Sequence, residues 1–180
     1  MASAGRFLTT HVGSLPREDD LIEIMFAKED GLPLDLAAVD ARIAEAVQFV
    51  VDRQAEAGLD IINDGEQSKP SYATYIKDRL NGFGGTGNSF AFQDIEDYPS
   101  TKERVFSDPG RKHRKTPACN APITVKDMTA VDRDATALNA SLAKHAGKQA
   151  FMSAASPGVT ALFFRNDYYD SDEDYVFALA

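Results

Sequence analysis

Apolar residues after position 35 recur at three- and four-residue intervals, the spacing of one face of a helix. Asp35 precedes this segment as a candidate N-cap, and Gly58 follows it as a candidate C-terminal stop. The pattern therefore predicts a long helix with one side against a core. Its core-facing positions are Val39, Ile43, Val47, Val50 and Ala57.

Further helical patterns occur on both sides of this segment. A second amphipathic helix is predicted over 130–146, with Val131, Leu138 and Leu142 on its apolar side and Gly147 as its stop. Shorter helices are predicted over 21–27, 70–80, 94–106 and 172–180.

Runs of apolar and β-branched residues stand between the helices and predict strands. Pro122 favours the end of the third strand over its middle, because proline cannot donate to a strand ladder. Since strands alternate with helices, the order predicts βαβ units and an α/β fold with a parallel sheet. The predicted strands are 7–10, 59–62, 118–125 and 150–154, and a glycine-rich loop is predicted at 82–87.

Composition and charge narrow the class of protein. The chain has 180 residues, 43% of them hydrophobic, which suits about one globular domain. The 19 basic and 28 acidic residues give a net charge of −9, which disfavours nucleic acid and anionic membrane surfaces as partners. No apolar run reaches the length of a membrane helix. A single cysteine, without a signal-peptide pattern, predicts a cytoplasmic location.

Ligands of parallel α/β sheets gather beyond the carboxyl ends of the strands, where the loops converge. This rule selects four polar clusters as candidate binding segments. They are 11–14, 63–66, 119–120 and 153–158.

The first two clusters carry side chains suited to a small-molecule ligand. Gly13 allows a ligand close to the backbone, and Ser14 offers a hydroxyl and an N–H. Asp64 and Glu66 can pair with an ammonium group or act as general bases. His11 is the histidine best placed at a predicted strand end. The alternatives are a turn with a capping serine and a solvated acidic turn.

Signals for metals and nucleotides are weaker. Cys119 has no second cysteine at ligand spacing and the three histidines are scattered, so no zinc site is predicted and a buried, inert thiol is favoured. The segment 82–87 lacks the Lys-Ser/Thr of a phosphate loop, and the basic run 111–115 suits a solvated loop. The aromatic pairs 163–164 and 168–169 suit either a wall for a planar ligand or core packing.

Four segments together resemble the cobalamin-independent methionine synthase family, in its order and spacing. They are TTHVGSLPR at 9–17, AGLDIINDGE at 57–66, PACNAPI at 117–123 and SPGVT at 156–160. The similarity is to short, single-barrel members that resemble the catalytic C-terminal domain. It implies a parallel (β/α) TIM barrel of the uroporphyrinogen decarboxylase and methionine synthase type. Residues 1–180 are then expected to form about the first half of this single domain.

The resemblance also implies an activity, namely zinc-dependent transfer of a methyl group from a methyltetrahydrofolate to the thiol of homocysteine. Zinc activates such a thiol by holding it as the thiolate. The family's zinc ligands and catalytic histidine lie in the second half of the barrel. The resemblance therefore places them beyond residue 180, with neither zinc nor a catalytic residue in this chain.

Substrate-binding roles carry over from the matching positions. Glu66 matches the acid that binds the homocysteine ammonium group, and Val12, Gly13 and Ser14 match the segment that holds the amino-acid moiety. The remaining candidates of this kind are Ala118 and Cys119, which match a pair that contacts the folate, and Phe164, which stands where the family has a folate-stacking tryptophan. The chain has no tryptophan.

Two other hypotheses stay open beside methyl transfer to homocysteine. Related single-barrel proteins use zinc to alkylate coenzyme M with an epoxide, and the missing tryptophan favours this substrate. The chain could instead be a non-catalytic half-barrel that assembles with a second copy through its open edge. That edge, and a homo-oligomer through it, are expected from the apolar segment 175–180.

Overall fold

Residues 5–71, 73–87, 93–106 and 116–180 are described by the computed structural model of the chain. Their contacts divide into two units, one of Met1–Tyr75 with Asp127–Ala154 and one of Ile76–Lys126 with Ala155–Ala180. The described elements, in chain order, are α1 Asp19–Glu29, α2 Leu36–Glu56, β1 Ile61–Ile62, a 3₁₀ helix Thr74–Asp78, β2 Leu80–Gly84, α3 Gln93–Glu96, α4 Pro99–Phe106, β3 Ala118–Val125, α5 Thr129–Leu142, β4 Gln149–Ala150, α6 Pro157–Phe163 and α7 Asp172–Leu179.

Helix α2 has the N-cap and the stop that its sequence predicts. The Asp35 carboxylate accepts hydrogen bonds from the N–H groups of Ala37 at 3.0 Å and Ala38 at 3.3 Å. Gly58, two residues after the helix ends, has φ of +82°, the left-handed conformation common after helices. Val39, Val47 and Val50 on the predicted apolar face are buried, whereas Ile43 is half-buried and Ala57 is exposed.

The core of the first unit lies between α2, α5 and a short parallel sheet. Its buried members are Val47, Val51, Ile62 and Leu138. Strand β1 pairs with β4 in parallel, and Thr10 forms a parallel bridge to Ile61 on the other side of β1. This arrangement is the predicted α/β fold with parallel strands.

The parallel strands are shorter than predicted. The run 7–10 contributes one bridge rather than a strand, because its first residue, Phe7, is 97% exposed and packs against no core. Strand β4 covers Gln149–Ala150 instead of 150–154. Helix α5 ends at Leu142, five residues before Gly147, and Val131 on its predicted apolar side is 40% exposed.

The third predicted strand does not join this parallel sheet. β3 pairs with β2 in an antiparallel two-stranded sheet of the second unit, and α3 and α4 lie between the two strands in the chain. The predicted loop at 82–87 is therefore a strand up to Gly84, and the helix predicted over 70–80 is reduced to the 3₁₀ helix. The glycines at 82–87 and the aromatic residues before them favour strand pairing over a long helix.

Pro122 lies inside β3 rather than at its end. The register between β2 and β3 shifts between Asn81 and Phe83, and Pro122 occupies the irregular stretch opposite this shift. A bulge tolerates proline because its residues make no regular ladder bonds. Gly82 has φ of +104° here, and a Cβ on it would lie 2.9 Å from the Pro122 carbonyl oxygen.

Three further points concern the other segments. Helix α6 was not predicted; it begins after Ser156, whose hydroxyl accepts a hydrogen bond from the Val159 N–H. The basic run 111–115 lies outside the described residues. Within the described ranges, each helix is too short or too polar to cross a lipid bilayer.

Candidate functional site

Two of the predicted binding segments lie side by side in the first unit. The Asn63 side-chain amide donates to the His11 carbonyl at 2.5 Å, and the Leu15 N–H donates to the Gly65 carbonyl at 3.0 Å. The Gln67 amide adds a bond to the Leu15 carbonyl at 3.1 Å. The structure therefore brings the 11–14 and 63–66 clusters together, although 52 positions separate Asn63 from His11 in the chain.

Glu66 holds an unusual backbone conformation in this site. Its φ is +56°, and no other non-glycine residue among the described ones has a positive φ. Gly65 before it has φ of +59°, and a Cβ there would lie 3.1 Å from Leu15 and 3.2 Å from Val50. Residues other than glycine rarely adopt this left-handed backbone conformation, and those that do are concentrated at functional sites.

The Glu66 carboxylate is buried beside Ser14. Glu66 is 5% exposed, and the Ser14 hydroxyl donates to its Oε2 at 2.6 Å. Among the described residues, Ser14 is the hydrogen-bond donor recorded to this carboxylate. A buried carboxylate with one neutral donor retains acceptor capacity for a cation. The alternative of a solvated acidic turn is wrong for both acids, since Asp64 is 2% exposed.

Asp64 serves the backbone of the same loop. Its Oδ1 accepts the Glu66 N–H at 3.1 Å, and its Oδ2 lies 3.6 Å from the Lys69 ammonium nitrogen. Both oxygens thus have partners within the loop. This arrangement leaves Glu66, rather than Asp64, as the acid with capacity for a ligand.

Sequence reasoning missed Lys69 and Arg17. The Lys69 side chain is 2% exposed, and its ammonium group donates to the Ser153 carbonyl at 2.7 Å. The Arg17 guanidinium donates to the carbonyls of Glu66 at 2.5 Å and Lys69 at 2.6 Å. The Arg17 contact to Lys69 spans 52 positions and the Lys69 contact to Ser153 spans 84, so no local pattern signals either residue.

The other residues of the 11–14 segment differ in exposure. Val12 is 70% exposed. Gly13 has φ of +100° and open space on its Cβ side. The His11 ring nitrogen Nε2 lies 2.9 Å from the Gly13 carbonyl oxygen, which holds the ring over its own turn. These residues flank Ser14 as the sequence predicts.

Ala118 and Cys119 lie at the start of β3 in the second unit. Both are buried, and Cys119 is completely inaccessible. Burial raises the pKa of the Cys119 thiol, whose sulfur lies 3.6 Å from the Ala121 carbonyl oxygen. A thiol that stays protonated is a poor nucleophile and a poor metal ligand. The buried position predicted for this cysteine is therefore observed, and its chemical inertness stays a prediction.

Phe164 packs in the core of the second unit. Its side chain is inaccessible, and its ring centroid lies 4.6 Å from that of Phe83. The Tyr175 hydroxyl donates to the Phe164 carbonyl at 3.0 Å, and burial raises the pKa of this phenol well above its usual range. Of the two alternatives for the aromatic pairs, Phe164 takes core packing. Folate contact by Ala118, Cys119 and Phe164 stays a prediction.

Zinc, which the family resemblance implies, has no fitting ligand set in the described ranges. Those residues hold no group of three or more His, Cys, Asp or Glu side chains that could bind a metal. Asp64 is engaged within its own loop, and burial raises the pKa of the Cys119 thiol.

Comparison with known proteins identifies related sequences. The model of the cobalamin-independent synthase catalytic domain matches residues 7–150, well over half of the chain. The 5-methyltetrahydropteroyltriglutamate–homocysteine methyltransferase of Haemophilus influenzae is 31% identical over 78 residues, which is 43% of this chain. The enzyme of that name from Mycolicibacterium paratuberculosis is 27% identical over 111 residues, or 60% of this chain. The chain spans about a tenth of the curated relatives' length, 10% and 14% respectively.

A solved structure shows the same fold. It is a B12-independent methionine synthase from a Shewanella species in complex with selenomethionine, with a TM-score of 0.64 and 20% identity. The match covers 94% of this chain and 44% of that one. This likeness confirms the α/β TIM-barrel type predicted from the sequence. Together with the domain match over residues 7–150, it establishes that the chain belongs to the cobalamin-independent methionine synthase family, whose named members are methyltransferases.

Proposed function

We propose that this chain supplies the substrate-binding part of a cytoplasmic thiol S-methyltransferase of the cobalamin-independent methionine synthase type. Homocysteine is the proposed thiol, and a methyltetrahydropteroylglutamate is the proposed methyl donor. The observation that carries the proposal is the buried Glu66 carboxylate, bonded to the Ser14 hydroxyl at 2.6 Å.

The chemistry of this pair suits an amino acid. An ammonium group presents three donors, and a buried carboxylate binds it through a charge-assisted hydrogen bond. Ser14 fixes one carboxylate oxygen, so that the position of the charge is set before the ligand arrives. The glycine at position 13, with open space on its Cβ side, leaves room for the ligand's backbone-like atoms.

The folate and zinc parts of the proposal rest on the family. The folate-contacting positions Ala118, Cys119 and Phe164 are carried by resemblance. For zinc, the proposal rests on the family resemblance alone, because the described residues hold no group of ligands that fits the metal. The chain's own contribution is to bind and orient the amino-acid part of the thiol.

A second candidate is alkyl transfer to coenzyme M. The inaccessible Phe164, in place of a ligand-stacking tryptophan, favours a donor without a pterin ring. Coenzyme M has no ammonium group, so it cannot form a charge-assisted hydrogen bond with the buried Glu66 carboxylate. The two candidates therefore differ in whether Glu66 contributes to thiol binding.

Titration of the intact protein with both thiols separates the candidates. Homocysteine affinity is expected to fall about tenfold or more in Glu66→Gln, because a hydrogen bond between charged groups contributes roughly 1.5 to 3 kcal/mol. Ser14→Ala is expected to cost less, since a neutral hydrogen bond contributes about 1 kcal/mol. Coenzyme M affinity should not respond to Glu66→Gln.

Glu45→Gln is the matched control, since Glu45 is an exposed residue on α2. It should leave the affinity for both thiols unchanged. Equal homocysteine affinity in the wild type and Glu66→Gln would remove Glu66 from the site and contradict the proposal.

A further inference from the structure

Lys69 is a buried charged side chain in the first unit, and its ammonium group loses hydration by being buried. Its side chain is 2% exposed. Among the described residues its head group contacts the Ser153 carbonyl at 2.7 Å and the Asp64 carboxylate at 3.6 Å. The ring centroid of Tyr75 lies 5.6 Å away, a cation–π distance.

These contacts close a circuit around Glu66. Lys69 pairs with Asp64, Asp64 accepts the Glu66 N–H at 3.1 Å, and the Glu66 carbonyl accepts the Lys69 N–H at 3.0 Å. The Ser153 contact ties the circuit to the segment after β4. Two of these bonds, from the Glu66 N–H to Asp64 and from the Lys69 N–H to the Glu66 carbonyl, act directly on the backbone of the residue that is held at positive φ.

We propose that Lys69, through its buried pair with Asp64, is a positioning residue that holds the Glu66 carboxylate in place for the substrate ammonium group. The inference rests on the proposed function of Glu66 in amino-acid binding. Lys69 does not touch the ligand. It compensates the charge of Asp64, so that the turn can stay closed and Glu66 remains the acid with capacity for a cation.

The consequence of losing Lys69 follows from the circuit. Without the ammonium group, Asp64 is a buried carboxylate with no cation beside it. Such a group draws water or rearranges, and the Glu66 N–H then loses a fixed acceptor. The carboxylate of Glu66 moves with its backbone, and displacements of this kind weaken ligand contacts even when the contacting side chain is intact.

Calorimetric titration of the intact protein with methionine, which carries the ammonium group but needs no metal to activate a thiol, tests the inference. Lys69→Met should weaken methionine about tenfold, the loss expected for a misplaced charged hydrogen bond. The des-amino analogue of methionine should bind the variant and the wild type equally. Lys144→Met is the control, since Lys144 is exposed beyond the end of α5, and it should change neither affinity.

The double variant Asp64→Asn/Lys69→Met keeps the acceptor for the Glu66 N–H and removes both buried charges. It should fold, and its methionine affinity should return to within about threefold of the wild type. Asp64→Asn alone breaks the same pair from the other side and should weaken methionine selectively. This variant and the double variant keep the test open if Lys69→Met does not fold.

Three results would overturn the inference: a Lys69→Met protein with a lower melting temperature but unchanged methionine affinity, equal weakening of methionine and its des-amino analogue, or a double variant that fails to fold or to recover binding. Failure of the proposed function shows elsewhere, in a wild type that binds methionine no better than Glu66→Gln does.

Discussion

At the scale of the residue, Glu66 combines two costs in one position. Its carboxylate is buried, and its backbone has φ of +56°. The left-handed region costs a side-chain-bearing residue roughly 1 to 2 kcal/mol. Asp64, Arg17 and Lys69 all bond the backbone of the loop that holds it. These contacts hold the strained backbone in place and with it the position of the Glu66 carboxylate.

The strain at Glu66 predicts a reversed order of stability for two small replacements. Glu66→Gly should be more stable than Glu66→Ala by about 1 kcal/mol, because glycine adopts positive φ without steric cost. At the exposed helical position Glu45, the order should be the usual one, with alanine more stable than glycine by about 1 kcal/mol. Urea unfolding of the four variants measures both differences. An alanine variant at least as stable as the glycine variant at position 66 would show that the backbone is relaxed there.

The conformation of Gly82, in the antiparallel pair of β2 and β3, leads to a similar prediction. A Cβ at this position would lie 2.8 Å from the Ile123 side chain and 2.9 Å from two backbone carbonyl oxygens. Gly82→Ala should therefore lower the free energy of unfolding by more than about 1 kcal/mol. Gly158→Ala is the control, because Gly158 lies in α6 with open space around it, and it should stabilise by about 0.5 to 1 kcal/mol. Equal effects at the two positions would contradict the close approach seen at Gly82.

At the scale of the element, local pattern was sufficient for the long helix α2 but not for α6 or for the segment that forms the 3₁₀ helix. α2 has a periodic apolar face, a capping Asp35 and a following Gly58, and all three signals lie within its own segment. β2 and β3 were not predicted as a pair. Their partner residues, such as Phe83 and Cys119, lie far apart in the chain, and the register between the strands is irregular. Pairing at that separation depends on tertiary contacts that a local window does not contain.

The candidate site divides in the same way. Gly13, Ser14 and Glu66 could be selected from polar motifs after apolar runs, and the structure does bring Ser14 to Glu66. Lys69 could not be selected, because a lysine in a polar loop reads as exposed. Its burial follows from Ser153, a residue 84 positions away.

The N-terminal segment beside β1 makes a prediction about acid stability. The Arg6 guanidinium and then the Thr9 N–H bond the Asp60 carboxylate and hold its pKa well below the usual range. An acid whose pKa is lowered by folding stabilises the fold above its unfolded-state pKa, near 4, and this contribution is lost as the pH falls through the folded-state pKa. The wild type should therefore exceed Asp60→Asn in stability from neutral pH down to about pH 5, and the difference should shrink in stronger acid.

Urea unfolding at several pH values measures this difference. Arg6→Gln serves as the matched variant, since it removes the cation and leaves the carboxylate, and it should reduce the same pH-dependent gap. A gap between the wild type and Asp60→Asn that grows towards acid pH would contradict the assignment.

At the scale of the whole molecule, the family is established by a match over residues 7–150, while the chain covers 44% of a solved family member. Each unit has its own interior: Val47, Val51, Ile62 and Leu138 in the first, and Cys119, Phe164 and Tyr175 in the second. The predicted homo-oligomer through an open barrel edge stays a prediction, and size-exclusion chromatography over a range of concentrations tests it.

Metal content is the remaining prediction for the whole chain. A structural or catalytic zinc needs three or four nitrogen, sulfur or oxygen ligands, and a cysteine ligand must be a thiolate. Cys119 is buried with a raised thiol pKa, and the described ranges hold no cluster of three candidate ligands. The purified 180-residue chain, supplied with zinc and passed through a chelator, should therefore retain well below one zinc per chain by plasma emission, and Cys119→Ser should retain no less. One tightly held zinc per chain, lost on Cys119→Ser, would show that Cys119 takes part in a metal site within these 180 residues.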